Sequence, residues 1–216
     1  MIHPDPYQPV SHERLLLDEL THRINNEFAT AIGIVSVATA CSTTVEARAE
    51  LARVQHRLEN LASVHRALQI PEHDTRIDAS VYLRQLCAAI VRSQLDHKGI
   101  QLILVEHSFP LNSVRCWKLG MILSELISNS VRHAFRRGTE DAVIRVEIQS
   151  RELSVECRIE DNGSAASQIQ PGRGLKIIEA LARHLQGTIE FQFGPRGSLS
   201  RLTFPLIARE TGDCCS

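Results

Sequence analysis

The sequence predicts an α+β protein in which an N-terminal antiparallel helical hairpin precedes an α/β sandwich. Through residues 11–72 the apolar residues recur every three or four positions, which is the spacing of helices with one apolar face. Two later runs alternate apolar and polar residues with a period of two, as half-buried strands do. A two-helix hairpin leaves part of its apolar surface wet, so we expect two copies to form a dimeric four-helix bundle. The alternative is that the hairpin packs on the rest of its own chain.

The hairpin is preceded by residues 1–10, whose three prolines and weak apolar pattern predict a flexible arm. The first helix is expected from Ser11 to about Ala40. Thr43 and Glu46 have the spacing of a capping box, in which a hydroxyl and a carboxylate satisfy free amides, so a second helix begins there. A proline at position 71 ends it. The two apolar seams are Leu17, Leu20, Ile24, Phe28, Ala31, Val35 and Ala38, and Ala47, Leu51, Val54, Leu58, Leu61, Val64 and Leu68.

Residues 78–207 predict a second domain, followed by a tail of residues 208–216. A helix capped by Asp78 or Ser80 leads into a strand at 100–105. In chain order there follow a helix at 117–134, strands at 142–148 and 153–159, a helix at 175–185, and strands at 188–193 and 198–206. This order favours helices layered on one face of a mixed sheet.

The composition argues against several classes of function. Lys and Arg total 24 against 25 Asp and Glu, for a net charge of -1, so no basic surplus exists to bind nucleic acid. No segment approaches the roughly 20 apolar residues of a membrane span, and the N-terminus lacks the order of a signal peptide, which predicts a cytoplasmic protein. The 6 cysteines lack a C-x-x-C pair and the 10 histidines lack ligand spacing, which argues against a disulfide framework and a zinc site.

A polar stripe runs along the helix predicted at 117–134. Glu125, Asn129, Arg132 and His133 are separated by four, three and one residues, so they project from one side of the helix. The opposite side is apolar. Such a stripe is usually a solvated face, and it indicates chemistry only when other polar motifs accompany it in the same domain.

Three further polar or glycine-rich motifs follow in order. Asp161 and Gly163 belong to an Asp-Asn-Gly run at the end of a predicted strand. Gly172 and Gly174 open the next predicted helix, where free backbone amides and the helix dipole favour a phosphate group. One more glycine precedes the final strand, which contains Thr203.

Together the four motifs resemble the ATP-binding domain shared by histidine kinases, gyrase-type ATPases and Hsp90-type chaperones, which has the Bergerat α/β sandwich fold. The helix around Glu125 resembles the N box of that family, and the run at Asp161 resembles its G1 box. The Gly-Arg-Gly-Leu run ending at Leu175 resembles its G2 box, and Gly197 with Thr203 its last box. The resemblance covers the whole second domain and implies that it binds ATP.

The resemblance also assigns a role to individual side chains. Asn129 would coordinate a Mg²⁺ ion that bridges the phosphates, with Glu125 beside it as an organiser of metal-bound water or as a base. Asp161 would accept the amino hydrogen of adenine, with Thr203 assisting through its hydroxyl. Gly163 would let the backbone approach the ring.

A phosphate end of the ATP site is implied by the same resemblance. Its glycines would frame the phosphates, and one of its arginines would offset their charge. The residues implied here are Gly172, Arg173, Gly174 and Leu175 of the G2 box, and Arg132 and His133 of the N box.

The hairpin contributes a second candidate site at His22. This residue lies two positions from both Leu20 and Ile24, about 200° around a helix from each, so it faces away from the seam and into solvent. The run from Glu19 to Asn26 resembles the phosphoacceptor box of the histidine kinase subfamily that has His-Arg and then Asn four residues after the histidine.

This second resemblance implies the chemistry of a two-component histidine kinase. His22 would take a phosphoryl group from Mg-ATP and pass it to an aspartate in the receiver domain of a response regulator. Asn26 would orient a water for dephosphorylating the regulator, and Glu19 would either polarise the imidazole or be an ordinary surface charge. Residues 57–68 resemble the second stem helix of the subfamily, which implies a homodimer through residues 11–72.

Two departures from the family pattern leave alternative functions open. Ala165 stands where the G1 box has a second glycine, and the stretch between Gly163 and Gly172 is short. Both features open the alternative of a histidine phosphotransferase relay, which would pass phosphoryl groups through His22 without binding ATP. The presence of Glu125, Asn129 and Asp161 argues against a relay, which would need no magnesium ligand. A serine kinase or ATPase of the same superfamily would explain the sandwich domain but would leave the hairpin without a role.

Overall fold

The computed structural model describes residues 12–69, 75–135, 141–164 and 173–207. The chain divides into two compact units, Met1–Gln69 and Ile70–Ser216. The expected arm at 1–10, the tail at 208–216 and the helix end at Pro71 lie outside the described residues. Within the described ranges, no helix is both long and apolar enough to cross a membrane.

The first unit is the predicted helical hairpin, formed by α1 (His12–Cys41) and α2 (Val45–Ala67). The capping-box prediction is wrong by one residue. The hydroxyl of Thr44, not that of Thr43, accepts a hydrogen bond from the backbone amide of Ala47 at 3.2 Å. Thr44 has the extended backbone of an N-cap residue, with φ -104° and ψ 148°, so the helix starts immediately after it.

The apolar seams of the hairpin are only partly covered by the facing helix. Phe28, Ala31 and Val35 of α1 are half-buried. Leu20 and Ile24 continue the same seam but are 54% and 42% exposed. Other large apolar side chains left exposed in the described part of this unit are Leu16, Ile34, Val37, Val45, Val54 and Leu61. A single copy of the hairpin therefore presents apolar surface to solvent, as expected for two helices with only each other to cover them.

In its described residues, the second unit contains a five-stranded mixed sheet, a small two-stranded sheet and three longer helices. Its elements are β1 (Arg76–Asp78), α3 (Ala79–Ile90), β2 (Gln101–Glu106), β3 (Pro110–Asn112), α4 (Ser113–His133), β4 (Val143–Arg151), β5 (Ser154–Asp161), α5 (Arg173–His184), β6 (Thr188–Gly194) and β7 (Gly197–Pro205). The large sheet has the order β2-β4-β5-β7-β6, with β2 and β4 parallel and the other neighbours antiparallel. The predicted α+β class is confirmed.

Two features of the second unit differ from the sequence prediction. β1 and β3 form a separate two-stranded sheet, and each has 3 residues, which is too short to show alternation. α4 begins at Ser113 rather than at position 117. The reason is a cap: the side chain of Asn112 accepts hydrogen bonds from the amides of Val114 and Arg115 at 3.0 and 3.2 Å.

The large sheet has one buried and one charged face. Ile144, Val146 and Ile148 of β4 are fully buried on the side covered by the helices, and alternate residues of β5 and β7 are buried with them. The intervening residues form the opposite face, where Arg158 and Glu160 make an ion pair at 2.8 Å. Because cross-strand partners share a face, this alternation determines on which side of the sheet each site residue projects.

Candidate functional site

One candidate site lies on the exposed face of α1 around His22. Glu19, His22, Arg23 and Asn26 all have exposed side chains. At about 100° per residue they fall within one arc of about 100° on the helix surface. The carboxylate of Glu19 accepts a hydrogen bond from Arg23 Nε at 2.7 Å. This exposed ion pair involves one of the two carboxylate oxygens of Glu19, Oε1.

The neighbouring asparagines of α1 lie on different sides of the helix. Asn26 is exposed with His22, whereas Asn25 is half-buried and its Oδ1 has no hydrogen-bond partner. On the side of Asn25, Phe28 contacts His65 of α2, with ring centroids 5.8 Å apart. The helix thus separates a side that packs on α2 from the side that presents the histidine to solvent.

The polar side of α4 meets the first turn of α5. Glu125 and Asn129 are half-buried, while Arg132 and His133, one turn further on, are exposed. A Cβ atom on Gly174 would lie 2.9 Å from Glu125 Oε2 and 3.9 Å from Asn129 Nδ2. The missing side chain of this glycine keeps open the space between the start of α5 and two polar groups of α4. The fold therefore brings the N box and the G2 box together.

Asp161 ends β5 as a buried carboxylate, 7% exposed. Its Oδ1 accepts hydrogen bonds from the backbone amides of Gly163 at 3.1 Å and Ser198 at 3.3 Å. Its Oδ2 accepts from the hydroxyl of Ser130 at 2.8 Å and from the hydroxyl of Ser198. Because all four partners are donors, the carboxylate can act toward a ligand only as an acceptor.

Two glycines let the backbone close around Asp161. A Cβ atom on Gly163 would lie 2.4 Å from the carbonyl oxygen of Ala134, and Ser164 donates its amide hydrogen to that oxygen at 3.0 Å. A Cβ atom on Gly197 would lie 1.9 Å from the carbonyl oxygen of Asp161, and its φ of 136° disfavours any side chain. Backbone atoms cannot rotate away as a side chain does, so a larger residue at either position would displace the end of β5.

The predicted partnership of Thr203 with Asp161 is wrong. In the register of β5 and β7, Asp161 lies opposite Ser198, whereas Thr203 lies opposite Glu156. The two residues are therefore five positions apart along the strands, or about 17 Å at about 3.4 Å per residue. They also project from opposite faces, because both neighbours of Thr203 in β7 are buried on the helix side.

Sequence reasoning missed two serines at this site. Ser198 occupies the position that had been expected of Thr203, and the alternation of β7, with its buried residues at even positions, would have indicated it. Ser130 lies on the apolar side of α4, next to Asn129. Helical spacing predicts that it is buried, but only the fold reveals that its hydroxyl meets the end of β5.

Part of the predicted phosphate end lies outside the described residues. Gly172, Ala165 and the side chain of Arg173 are in this group. Leu175 is half-buried in the first turn of α5. The roles expected of these residues stay predictions.

Comparison with known proteins connects both regions to one family. Residues 19–94 match the family described as histidine kinase, and residues 97–204 match the family described as histidine kinase-like ATPase domain. The chain belongs to the histidine kinase family. The first match includes His22 and the second includes Asp161. Each candidate site therefore lies in the segment of the chain that matches the family its motif resembles.

Relatives among characterised proteins are sensor histidine kinases. PdtaS of Mycolicibacterium smegmatis is 24% identical over 205 residues, which is 90% of this chain and 40% of that protein. Blue-light-activated histidine kinase 1 of Erythrobacter litoralis is 27% identical over 201 residues, which is 90% of this chain and 54% of that protein. The chain thus spans about half the length of the curated relatives it matches.

Solved structures of histidine kinases have the same fold. The histidine kinase domain of the Erythrobacter litoralis EL346 blue-light-activated kinase aligns over 88% of this chain and 93% of its own, with a TM-score of 0.60 at 18% identity. Full-length ShkA in complex with AMPPNP aligns over 93% of this chain and 47% of its own, with a TM-score of 0.54 at 16% identity.

Proposed function

We propose that the chain is a protein-histidine kinase that phosphorylates its own His22 from Mg-ATP and passes the phosphoryl group to an aspartate of a response regulator. One observation carries the proposal. This member of the histidine kinase family has an exposed histidine, His22, on its hairpin, and its sheet unit has a buried carboxylate, Asp161, that can accept hydrogen bonds. The sensor histidine kinases that match over 90% of this chain support it.

The base of ATP would be held at Asp161. The exocyclic amino group of adenine is a hydrogen-bond donor, so it complements a carboxylate that is surrounded by donors and can only accept. Ser198, rather than Thr203, supplies the neighbouring hydroxyl. Gly163 lets the end of β5 lie against the carbonyl oxygen of Ala134, where a Cβ atom would come within 2.4 Å, and so helps to hold Asp161 in place for the base.

The phosphates would be held between α4 and the start of α5. Asn129 and Glu125 offer an amide oxygen and a carboxylate, which suit a hard cation that keeps most of its waters, and the open space beside Gly174 fits this use. Mg²⁺ bound there would offset the charge that the phosphates carry during transfer. The residues that we assign to the phosphates by family resemblance are Gly172, Arg173, Leu175, Arg132 and His133.

The transfer step uses His22 as a nucleophile. A neutral imidazole nitrogen attacks the γ-phosphorus of ATP, a nitrogen–phosphorus bond forms, and the bond to the oxygen bridging the β- and γ-phosphates breaks so that ADP leaves. The exposure of His22 provides the access that the attack needs. Glu19 polarises the ring, and Asn26 orients a water for hydrolysis of the phosphorylated regulator.

The proposal includes a homodimer and assigns a different function to each part of the chain. Residues 11–72 would dimerise and carry the phosphoryl group, and residues 78–207 would bind ATP. The exposure of Leu20 and Ile24 supports the dimer, because a second hairpin would cover them. The requirement for ATP and for a receiver domain favours action in the cytoplasm.

Incubation of the purified chain with γ-labelled ATP tests the proposal. We expect acid-labile, alkali-stable label on the protein, its loss in His22→Ala, and its retention in His56→Ala, which removes an equally exposed histidine from α2. Addition of a receiver domain should move the label to the receiver. Transfer from a phosphorylated receiver without ATP binding would indicate a relay instead, and phosphate release without labelling would indicate an ATPase.

A further inference from the structure

We infer that Ser130 is a positioning residue for nucleobase recognition, whose buried hydroxyl fixes the carboxylate of Asp161 to receive the amino group of adenine. The inference rests on the proposed function and extends it, because it assigns base selection to a residue of α4 beside the expected metal ligand, Asn129. Ser130 lies within the helix that resembles the N box, but the resemblance assigned it no role.

The contact itself is short, buried and between distant parts of the chain. Ser130 is 8% exposed and Asp161 is 7% exposed. The hydroxyl of Ser130 donates to Asp161 Oδ2 at 2.8 Å. Ser130 is held in the helical backbone of α4, and Asp161 is the last residue of β5. The hydrogen bond therefore fixes the carboxylate to a second, independent element.

The four donors around Asp161 are not equivalent when a ligand arrives. The two backbone amides bind Oδ1 and cannot turn away. The hydroxyls of Ser130 and Ser198 share Oδ2 and fill its two acceptor positions, so an incoming amino group must replace one of them. Ser198 is half-buried and keeps its amide bond to Oδ1 after its hydroxyl rotates. Ser130 is bonded to Asp161 through its hydroxyl alone. We therefore expect the amino group to replace the hydroxyl of Ser198, while the hydroxyl of Ser130 keeps its hydrogen bond to Asp161.

This asymmetry makes a prediction about base selection. Hypoxanthine, the base of IDP, has a carbonyl oxygen where adenine has its amino group, so a fixed acceptor carboxylate disfavours it. Without the hydroxyl of Ser130, the carboxylate of Asp161 is no longer fixed to accept from the amino group of adenine, whereas hypoxanthine makes no such hydrogen bond and loses nothing. Loss of a buried hydrogen bond to a charged group corresponds to an effect of about tenfold on binding. The preference for ADP over IDP should therefore shrink by about tenfold.

The experiment measures the dissociation constants of Mg-ADP and Mg-IDP by calorimetry on the full chain. Ser130→Ala should weaken ADP about tenfold and leave IDP nearly unchanged. Ser130→Cys, which nearly preserves the volume but donates weakly, should behave like Ser130→Ala, and Ser130→Thr, which keeps a hydroxyl, should restore the preference. Ser128→Ala is the matched control, because it removes a serine hydroxyl of α4 that donates to Gln94 at 3.0 Å and not to Asp161.

The outcomes distinguish this inference from the proposed function. If the unaltered chain binds neither nucleotide, both the proposed function and the inference are overturned. If it binds Mg-ADP and Ser130→Ala keeps the full preference, only the inference is overturned. Equal weakening of ADP and IDP in Ser130→Ala, or an unaltered preference in Ser130→Cys, would also overturn it, because packing alone would then explain the buried serine.

Discussion

The hairpin and the sheet unit build their sites in opposite ways. On the hairpin, Glu19, His22 and Asn26 belong to two turns of one helix, and all are exposed. In the sheet unit, Ser130 of α4, Asp161 of β5 and Ser198 of β7 meet from three elements, and their contacts are buried or partly buried. In the proposed function a nucleophile has to be reached, whereas a base-binding carboxylate has to be fixed, and each unit fits the role proposed for it.

The burial of apolar side chains also differs between the two regions. The sheet unit encloses a core of fully buried residues, including Leu83, Ile122 and Ile144. The hairpin leaves apolar side chains such as Ile24 and Ile34 at 42% and 65% exposure. The sheet unit covers its apolar core with its own elements, whereas the seams of the hairpin would be covered by the second copy in the proposed homodimer.

The largest expected effect is on ATP-dependent labelling, and it distinguishes the site around Asn129 from the site around His22. Asn129→Ala should lower the rate of ATP-dependent labelling by roughly a hundredfold or more, because it removes the expected oxygen ligand of the metal. It should leave His22 able to accept a phosphoryl group back from a phosphorylated receiver, whereas His22→Ala should lose both reactions. Loss of back-transfer in Asn129→Ala would show that the two units do not work independently.

A stability measurement should reproduce the contrast in packing. Ile122→Ala should lower the free energy of unfolding of the sheet unit by about 3 kcal/mol, because the side chain is fully buried and its removal leaves a cavity. Ile34→Ala, at 65% exposure, should cost less than about 1 kcal/mol in a dilute sample. In denaturant unfolding, tryptophan fluorescence reports on the sheet unit, because Trp117 lies in α4, and far-ultraviolet circular dichroism reports also on the helices of the hairpin. An equal loss of unfolding free energy in the two variants would show that the two units do not differ in packing.

The exposed apolar seam of the hairpin predicts that the chain self-associates and that a charged residue placed in the seam weakens this association. Ile24→Glu should raise the dissociation constant of the dimer by about thirtyfold, since about 2 kcal/mol of apolar burial is lost at the interface. Sedimentation velocity over a concentration series measures this change. Val81→Glu replaces an apolar residue of α3 with similar exposure, 47% against 42%, and should leave the association unchanged. A similar effect of both variants would mean that net charge, not the seam, controls association.

The smallest effect concerns alkaline pH and the thiols of the sheet unit. Burial raises the pKa of Cys87 and of Cys116 from 9.0 to about 12. A thiol whose pKa is raised by folding stabilises the native state fully below its unfolded pKa, and that contribution is lost as pH rises from about 9 toward 12. At about pH 10 the lost contribution of each thiol should lower the free energy of unfolding by about 1.4 kcal/mol.

Cysteine variants test this pH dependence. Cys87→Ala should flatten the decline in the free energy of unfolding between about pH 8 and about pH 10, whatever its effect at neutral pH. Cys41→Ala is the control, because Cys41 is exposed on the hairpin and its removal should leave the slope unchanged. An unchanged slope in Cys87→Ala would mean that this thiol titrates alike in the folded and unfolded chains.

Sequence predicted the hairpin and its site better than the sheet unit and its site. The exposure of His22 follows from the spacing of apolar residues within one helix, so local periodicity was sufficient. The prediction at Thr203 is wrong because the alternation of β7, visible in its apolar residues Leu202 and Phe204, places Thr203 on the face of the sheet opposite to Asp161. The contact of Ser130 with Asp161 could not be predicted, because it joins residues 31 positions apart through the packing of α4 on β5.

By itself, the sequence determined the periodicities, the caps to within one residue at Thr44, the order of the elements and the exposed face that carries His22. These properties depend on neighbours three or four residues away. The tertiary structure alone decided which side chains surround Asp161, because strand register and the approach of α4 bring distant residues together. It also decided that the seams of the hairpin stay partly uncovered, since the burial of a side chain depends on everything that packs around it.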